Sequence, residues 1–332
     1  MLLDKSNLEK VNKYEEFVKN NGVITQDMRW ARIKSNWDSD YFYIEKDDKI
    51  VAAMSVISIE DSIGKRFFYC PKGPVCDLKD IDYIKELIDE VKIFAKNNNG
   101  FLLRIDPEVR KDEYIIELYE KNGLKFIDNP KISSQPLMSL VLDINGRSED
   151  EIFQNLSKNT RKHIRKSYRE GLVTREGNRE DIETFYQTTK IMADRANIGH
   201  RTLDYFYKLY DTFKDDMRLS FTEFEGEVLC CSMLIKHNDT AIALYGASNE
   251  KMRHLNQNYQ INWEEIKYCI KNKISHYDMG GIFSTDEDDG LYQFKRKFTE
   301  DNVVNWIGFL DIVIDKEKYL KFTKRLNCHF DR

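Results

Sequence analysis

Apolar side chains at Leu8, Val11, Tyr14 and Phe17–Val18 recur at the spacing of a helix with one buried face. Asn21-Gly22 closes that helix. A second, short helix is predicted from Asp27; it carries Trp30 and Ile33 toward the core, with Lys34 one turn after Trp30. The pattern then shortens to that of strands. Residues 41–46 and 49–59 flank Asp47-Asp48 as a hairpin, and residues 66–71 form a third strand running into the turn Lys72-Gly73-Pro74. Helical spacing returns over 78–97 through Ile81, Ile84, Leu87, Ile88, Val91 and Phe94–Ala95, and Asn97–Gly100 stop it. Phe101 to Pro107 is a buried strand ending in Asp106, and a helix follows over 112–122.

The second half repeats this order. Helices are predicted around Ile182, Phe185 and Tyr186 and over 202–213. Strands follow at 218–225 and 228–237, hinged on Glu225-Gly226-Glu227, and at 240–247. A helix at 258–272 leads into a strand at 276–279. Each half thus has a hairpin, a third strand, a long helix and a strand ending in Asp, which aligns Asp106 with Asp278. The pattern predicts a duplicated α/β (α+β) unit with mixed sheets, then one strand over 303–314 and a final helix over 315–327.

Composition narrows the function. A chain of 332 residues suits two domains. Its net charge of −5 mixes both signs, so it is no general nucleic-acid binder, DNA is not expected as a partner, and any polyanion must meet a local basic patch. The cysteines (Cys70, Cys76, Cys230, Cys231, Cys269 and Cys328) form no CxxC pair and read as small apolar fillers of a reduced, cytoplasmic chain. No zinc-ligand spacing occurs. The N-terminus lacks a signal-peptide apolar core, and no apolar run is long enough to span a membrane, so any membrane association is expected to be peripheral.

Two stretches carry candidate chemistry. In residues 276–298 a strand ends at Asp278, Gly280-Gly281 turn the chain, an acidic loop follows, and a helix begins near Gly290. Leu291, Phe294 and Phe298 are spaced to form one buried stripe, and Lys295 lies beside it. Lys295 is either a surface lysine among Arg296 and Lys297 or an ammonium at a cleft edge, where it would stabilise developing negative charge. Residues 157–169 form a helix with Ile164 and Tyr168 on one face and Arg161, Lys162, Arg165, Lys166 and Arg169 on the rest. It is either a solvated face or a phosphate contact.

Six stretches, taken together and in order, resemble the FemABX family of non-ribosomal peptidyl transferases. They are Gln26-Asp-Met-Arg-Trp-Ala-Arg-Ile-Lys34, Tyr69-Cys-Pro-Lys-Gly-Pro-Val75, Ile105-Asp-Pro107, Leu156 to Lys166, Leu244-Tyr-Gly-Ala-Ser248, and Tyr277 to Ile282 with Gly290-Leu-Tyr-Gln-Phe-Lys295. The resemblance implies two GNAT-like acyltransferase domains, over 1–147 plus 315–332 and over 148–314. The last helix would return to the first domain, and no coiled-coil arm is expected between the helices near 180–193 and 202–213.

The resemblance also implies a reaction. An amino acid would move from aminoacyl-tRNA to an amine of a peptidoglycan precursor, UDP-muramyl-pentapeptide or its lipid-linked form, with no metal or other cofactor. Lys295 would stabilise the oxyanion with Phe294 before it. Lys34 would meet the acceptor's diphosphate, Arg201 and Tyr205 would help hold that substrate, and Tyr245 would line the site. Asp106 would be either a proton acceptor at the acceptor site or the cap of a turn. The rival readings are an acyl-coenzyme A acyltransferase, disfavoured because its Gln/Arg-x-x-Gly-x-Gly/Ala loop is missing, and a non-catalytic RNA-binding protein, which would need more stacking aromatics beside the basic helix than Tyr168.

Overall fold

The chain alternates helices and strands in the order α1 (Leu8–Asn21), α2 (Met28–Arg32), β1 (Asp38–Lys46), β2 (Lys49–Glu60), β3 (Arg66–Lys72), α3 (Ile81–Asn97), β4 (Gly100–Pro107), α4 (Glu113–Lys121), β5 (Met138–Asp143), α5 (Glu149–Asn155), α6 (Lys158–Arg169) and β6 (Val173–Glu176). It continues with α7 (Ile182–Ala196), α8 (Leu203–Phe213), β7 (Met217–Phe224), β8 (Glu227–His237), β9 (Thr240–Ser248), α9 (Gln257–Lys271), β10 (His276–Ile282), α10 (Gly290–Lys295), β11 (Val303–Asn305), β12 (Leu310–Val313) and α11 (Lys316–Phe330). The structure, a computed structural model, describes residues 1–249 and 251–330, with side chains up to residue 324; Cys328 is therefore outside the described side chains. Two compact units form: Met1–Leu137 with the segment from Asn305 onward, and Met138–Val304.

The first unit has the sheet β1-β2-β3-β4-β12 and the second β11-β5-β10-β9-β8-β7-β6. The repeat is visible in the pairing. In each unit a hairpin (β1–β2, β7–β8) pairs antiparallel with a third strand, and a fourth strand (β4, β10) lies parallel to that third one. A long helix, α3 or α9, supplies the crossover that a parallel pair requires. The fourth strand is then flanked by an antiparallel strand from elsewhere in the chain, β12 for β4 and β5 for β10.

Burial explains why these elements form. In α3 Ile84, Leu87, Ile88, Val91 and Ala95 are buried at helical spacing, and they pack with Phe42, Val56, Phe68 and Leu103 of the sheet. β4 is buried at every position, as expected for a strand covered on both faces. Arg104 in its middle is fully buried and forks onto Asp311 of β12 with two bonds of 2.8 Å. The Phe309 ring lies 4.2 Å from its guanidinium. In the second unit α9 buries Ile261, Trp263, Ile266 and Cys269. In α11 the Phe322 ring meets Phe67 and Phe101, so the last helix joins the first unit.

Four sequence expectations change. Residues 303–314 are two strands in different sheets, because Trp306–Phe309 turn the chain from β5's side to β4's. α2 ends at Arg32, so Lys34 follows the helix rather than riding on it. α10 ends at Lys295; Leu291 is 46% exposed and Tyr292 is the helix's buried residue, so the predicted stripe does not exist as one face. Residues 138–143, where no element is expected, form β5 because they pair antiparallel with β10. The helices α7 and α8 have 15 and 11 residues and are joined by a short loop, with no longer arm.

Candidate active site

The two parallel pairs differ in one respect. β3 and β4 stay in register over six consecutive pairs, from Phe67↔Leu102 to Lys72↔Pro107, after one irregularity at Arg66. β9 and β10 hold only three pairs, ending at Asp278↔Ile242. Beyond Asp278 the β10 ladder to β5 is also irregular, resuming at Gly281↔Ser139. A cavity of about 410 Å³ opens where the ladder stops, lined by Ala243, Leu244, Met279, Phe294 and Lys295 among others. In the first unit the corresponding end is filled. Gln26 donates to the Pro71 carbonyl and accepts from the Ser55 amide, and a Cβ on Gly73 would meet its side chain at 2.4 Å.

Asp289 caps α10 by accepting from the Tyr292 amide at 2.8 Å, and the short helix aims Lys295 back at β10. The Lys295 ammonium donates to the Gly281 carbonyl at 2.9 Å. Gly280 has φ +84°, a conformation costly for other residues, and its amide donates to Asp278 at 2.7 Å. Burial lowers the Lys295 pKa from its ordinary value to about 8, with Asp278 and Asp289 opposing the shift. Lys295 is thus no surface lysine: it is a half-buried cation with a partly desolvated charge. Phe294 forms one wall, packed between Tyr259 and Phe298.

The other second-unit residues fall beside this cavity. Tyr245, between lining residues Leu244 and Gly246, turns instead to α8. Its hydroxyl donates to that of Tyr205 at 3.2 Å, and its ring meets Phe206. Arg201 stacks over Tyr205 at 5.1 Å. Of the α6 cations, Arg161 folds back onto the Gln154 and Leu156 carbonyls and Arg165 covers Phe153, so both secure the end of α5. Lys162 and Lys166, with Lys297, lie close enough to His163 to help lower its pKa, after burial as the largest cause. A second hollow of about 410 Å³ adjoins, sharing Phe294 and Asn258 with the lysine cavity and lined also by Arg253, Tyr259 and Lys297. Arg253 and Lys297 were not singled out from the sequence, because only the packing of the end of α10 against the start of α9, through Tyr259, gathers them.

In the first unit Asp106 is 5% exposed. It accepts from the Tyr69 hydroxyl and, at 2.7 Å, from the Lys72 amide. Burial raises its pKa to about 6, against the pull of Lys72, Tyr69 and Arg104. It therefore caps the Lys72–Pro74 turn with a carboxyl whose pKa burial has raised. Lys34 lies half-buried with its ammonium 5.7 Å from the Trp30 ring. Thr25 and Gln26, just ahead of α2, bind the Pro71 carbonyl, and Pro71 is the residue registered with Asp106.

Solved structures share this architecture. A tandem GNAT protein from the clavulanic acid biosynthesis pathway superposes with a TM-score of 0.58 at 10% identity, covering 94% of this chain and 97% of that one. The structure of FemX superposes with a TM-score of 0.85 at 19% identity, covering 97% and 100%. The duplicated sheet with one parted parallel pair thus defines a protein of tandem GNAT-like fold. The FemAB family model matches residues 10–227 and 221–325. The chain is 31% identical over 335 residues to the UDP-N-acetylmuramoylpentapeptide-lysine N(6)-alanyltransferase of Weissella viridescens, covering 97% of this chain and 99% of the relative. A lipid II:glycine glycyltransferase of Staphylococcus haemolyticus is 25% identical, with 94% of each chain covered. The chain belongs to the FemAB family.

Proposed function

We propose that this protein transfers an amino acid from aminoacyl-tRNA to an amine of a peptidoglycan precursor stem peptide, building an interpeptide bridge. The observation that carries the reading is the desolvated Lys295 ammonium in a cavity opened by the parting of β9 and β10. The relatives, named as an alanyltransferase on a UDP-linked muramyl pentapeptide and as a lipid II glycyltransferase, supply the substrate class. The acceptor amine attacks the ester carbonyl, the carbonyl oxygen becomes an oxyanion, and the ribose oxygen leaves as the amide forms. The amine loses one proton and the ribose hydroxyl gains one. A preplaced ammonium favours the oxyanion without reorganising at the moment of reaction, and Phe294 excludes water from it. Such acyl transfer is a proton and charge problem, and no metal or redox group is part of it.

In this reading Asp106, whose pKa of about 6 suits proton acceptance near neutrality, takes the amine proton. Lys34, Arg201 and Tyr205 hold the acceptor's anionic end, with Tyr245 fixing Tyr205. Lys162, Lys166 and Lys297 meet tRNA phosphates, with Arg161 and Arg165 contributing mainly by holding α5. In this reading the reaction is cytoplasmic, where charged tRNA is available. No helix among the described residues is long and apolar enough to cross a membrane, and a lipid-linked acceptor would be met peripherally. The test is transfer by the purified protein from a pool of charged tRNAs to UDP-muramyl-pentapeptide or lipid II, read by mass. Acetylation from acetyl-coenzyme A in place of aminoacylation would refute the reading.

A further inference from the structure

The lysine cavity is graded in charge from mouth to floor. At its mouth are exposed Arg195 and Leu291, and at its floor are Cys231, Ser232, Ile261 and Glu265. Glu265, on α9, is 1% exposed. One of its oxygens, Oε2, accepts from the Tyr277 hydroxyl at 2.5 Å. The other, Oε1, is buried and has no hydrogen-bond partner. Burial raises the pKa of this carboxyl, and Ser232, Tyr277 and Arg218 oppose the shift. The Ser232 hydroxyl is thus close enough to favour the charged form, but it makes no well-formed hydrogen bond to Oε1. Arg218 acts on Glu265 through its charge: its Nη1 donates to the Glu264 carbonyl at 3.1 Å, its guanidinium lies over the Tyr268 ring, and its buried Nε makes no hydrogen bond to the carboxylate. A buried acceptor left open is costly, and this one belongs to a residue that lines the cavity.

The proposed reaction supplies a donor of the right charge. An aminoacyl ester carries an ammonium one carbon from the reacting carbonyl, and on the other side a ribose joined to phosphate. Anion at the floor, lysine on the wall and arginine at the mouth follow the same order of charge. We infer that Glu265 binds the α-ammonium of the aminoacyl donor, seating the aminoacyl group in this cavity with its carbonyl toward Lys295. The inference rests on the reading of the reaction given above. The short side chains around the floor, Cys231, Ser232, Ala243 and Ala247, favour a small amino acid, since larger ones would compete for the space that the ammonium needs.

The test compares alanyl-tRNA with lactyl-tRNA, in which a hydroxyl replaces the α-amine, using wild type and Glu265→Gln. Glutamine keeps the shape and an acceptor for Tyr277 but removes the charge. Wild type is expected to prefer the alanyl donor in kcat/KM by about 10- to 100-fold, the range of a charge-assisted hydrogen bond. Glu265→Gln should lose most of that preference by slowing the alanyl reaction, with lactyl turnover within about twofold of wild type. Equal loss with both donors would make Glu265 a structural residue and overturn the inference, as would a variant that keeps the preference. Wild type alone also decides: equal use of the two donors refutes the ammonium contact even where the variant fails to fold. Wild type that uses neither these donors nor any from a pool of charged tRNAs refutes the reaction itself, and the inference with it.

Discussion

Replacing Lys295 with methionine should move activity and stability in opposite directions. The lysine's pKa is lowered from 10.5 to about 8 in the folded protein. The folded state therefore binds this proton less tightly than the unfolded chain does. Below pH 8 the full cost of holding the ammonium is present; it fades as pH rises from 8 to 10.5 and is gone above that. At 1.36 kcal/mol per pKa unit the cost reaches about 3 kcal/mol at neutral pH. Residual exposure reduces this figure, and methionine also forfeits the bond to the Gly281 carbonyl, about 1 kcal/mol. Lys295→Met should thus be stabilised by about 1–2 kcal/mol at pH 7, with the gain vanishing toward pH 10. Loss of a preorganised oxyanion donor should lower kcat about 10²–10³-fold. Denaturant melts at pH 7 and 10 beside single-turnover transfer assays measure both. A variant that is less stable at pH 7 and within tenfold of normal turnover would show that the lysine serves the fold and not the reaction.

The same pKa values set the pH profile: kcat/KM should fall above about pH 8 as Lys295 loses its proton and below about pH 6 as Asp106 gains one, and the acid limb should disappear in Asp106→Asn. A profile flat from pH 5 to 9 would remove both groups from the chemistry. Asp311→Ala leaves the Arg104 guanidinium buried without its carboxylate and should destabilise by about 3–5 kcal/mol, read by urea melts, whereas exposed Lys121→Ala should change stability by less than about 0.5 kcal/mol. Lys297→Gln should weaken tRNA binding and lower the slope of log K against log salt by about 0.7–0.9, the share of one phosphate contact; an unchanged slope would remove Lys297 from the tRNA surface.

The repeat was legible because its periods are local. α3, α9 and the two hairpins each carry their own spacing and turn residues, so their order survives without knowing what packs on what. Asp106 and Asp278 do occupy matching strands. Strands that are defined by a partner were harder to see. β5 and β12 are short, and only their pairing to β10 and β4 makes them strands. The site divides the same way. Lys295 stood out because a glycine turn precedes its helix, but its burial depends on β9 parting from β10, which no residue in the 276–298 stretch encodes alone. Glu265, between Glu264 and Ile266 in a helix, carries no local signal of its role. Only the placement of Tyr277 and Ser232 shows that it faces inward. Leu291 misled for the opposite reason: its spacing fits a core stripe, yet α10 is too short to bury it.

The position of β12 bears on how the protein is made. Arg104 emerges from the ribosome 207 residues before Asp311, its carboxylate partner. At about 5–20 residues per second, that gap corresponds to roughly 10–40 s of synthesis. Throughout it, β4 has an open edge on the side where β12 will pair and a cation that cannot be buried at low cost. The second unit, by contrast, is continuous from Met138 to Val304 and has all its strands before β12 is translated. The half of the chain that is synthesised first is therefore the half that finishes folding last, and a nascent chain stalled before Leu310 should expose β4 to chaperones or to a neighbouring chain's edge.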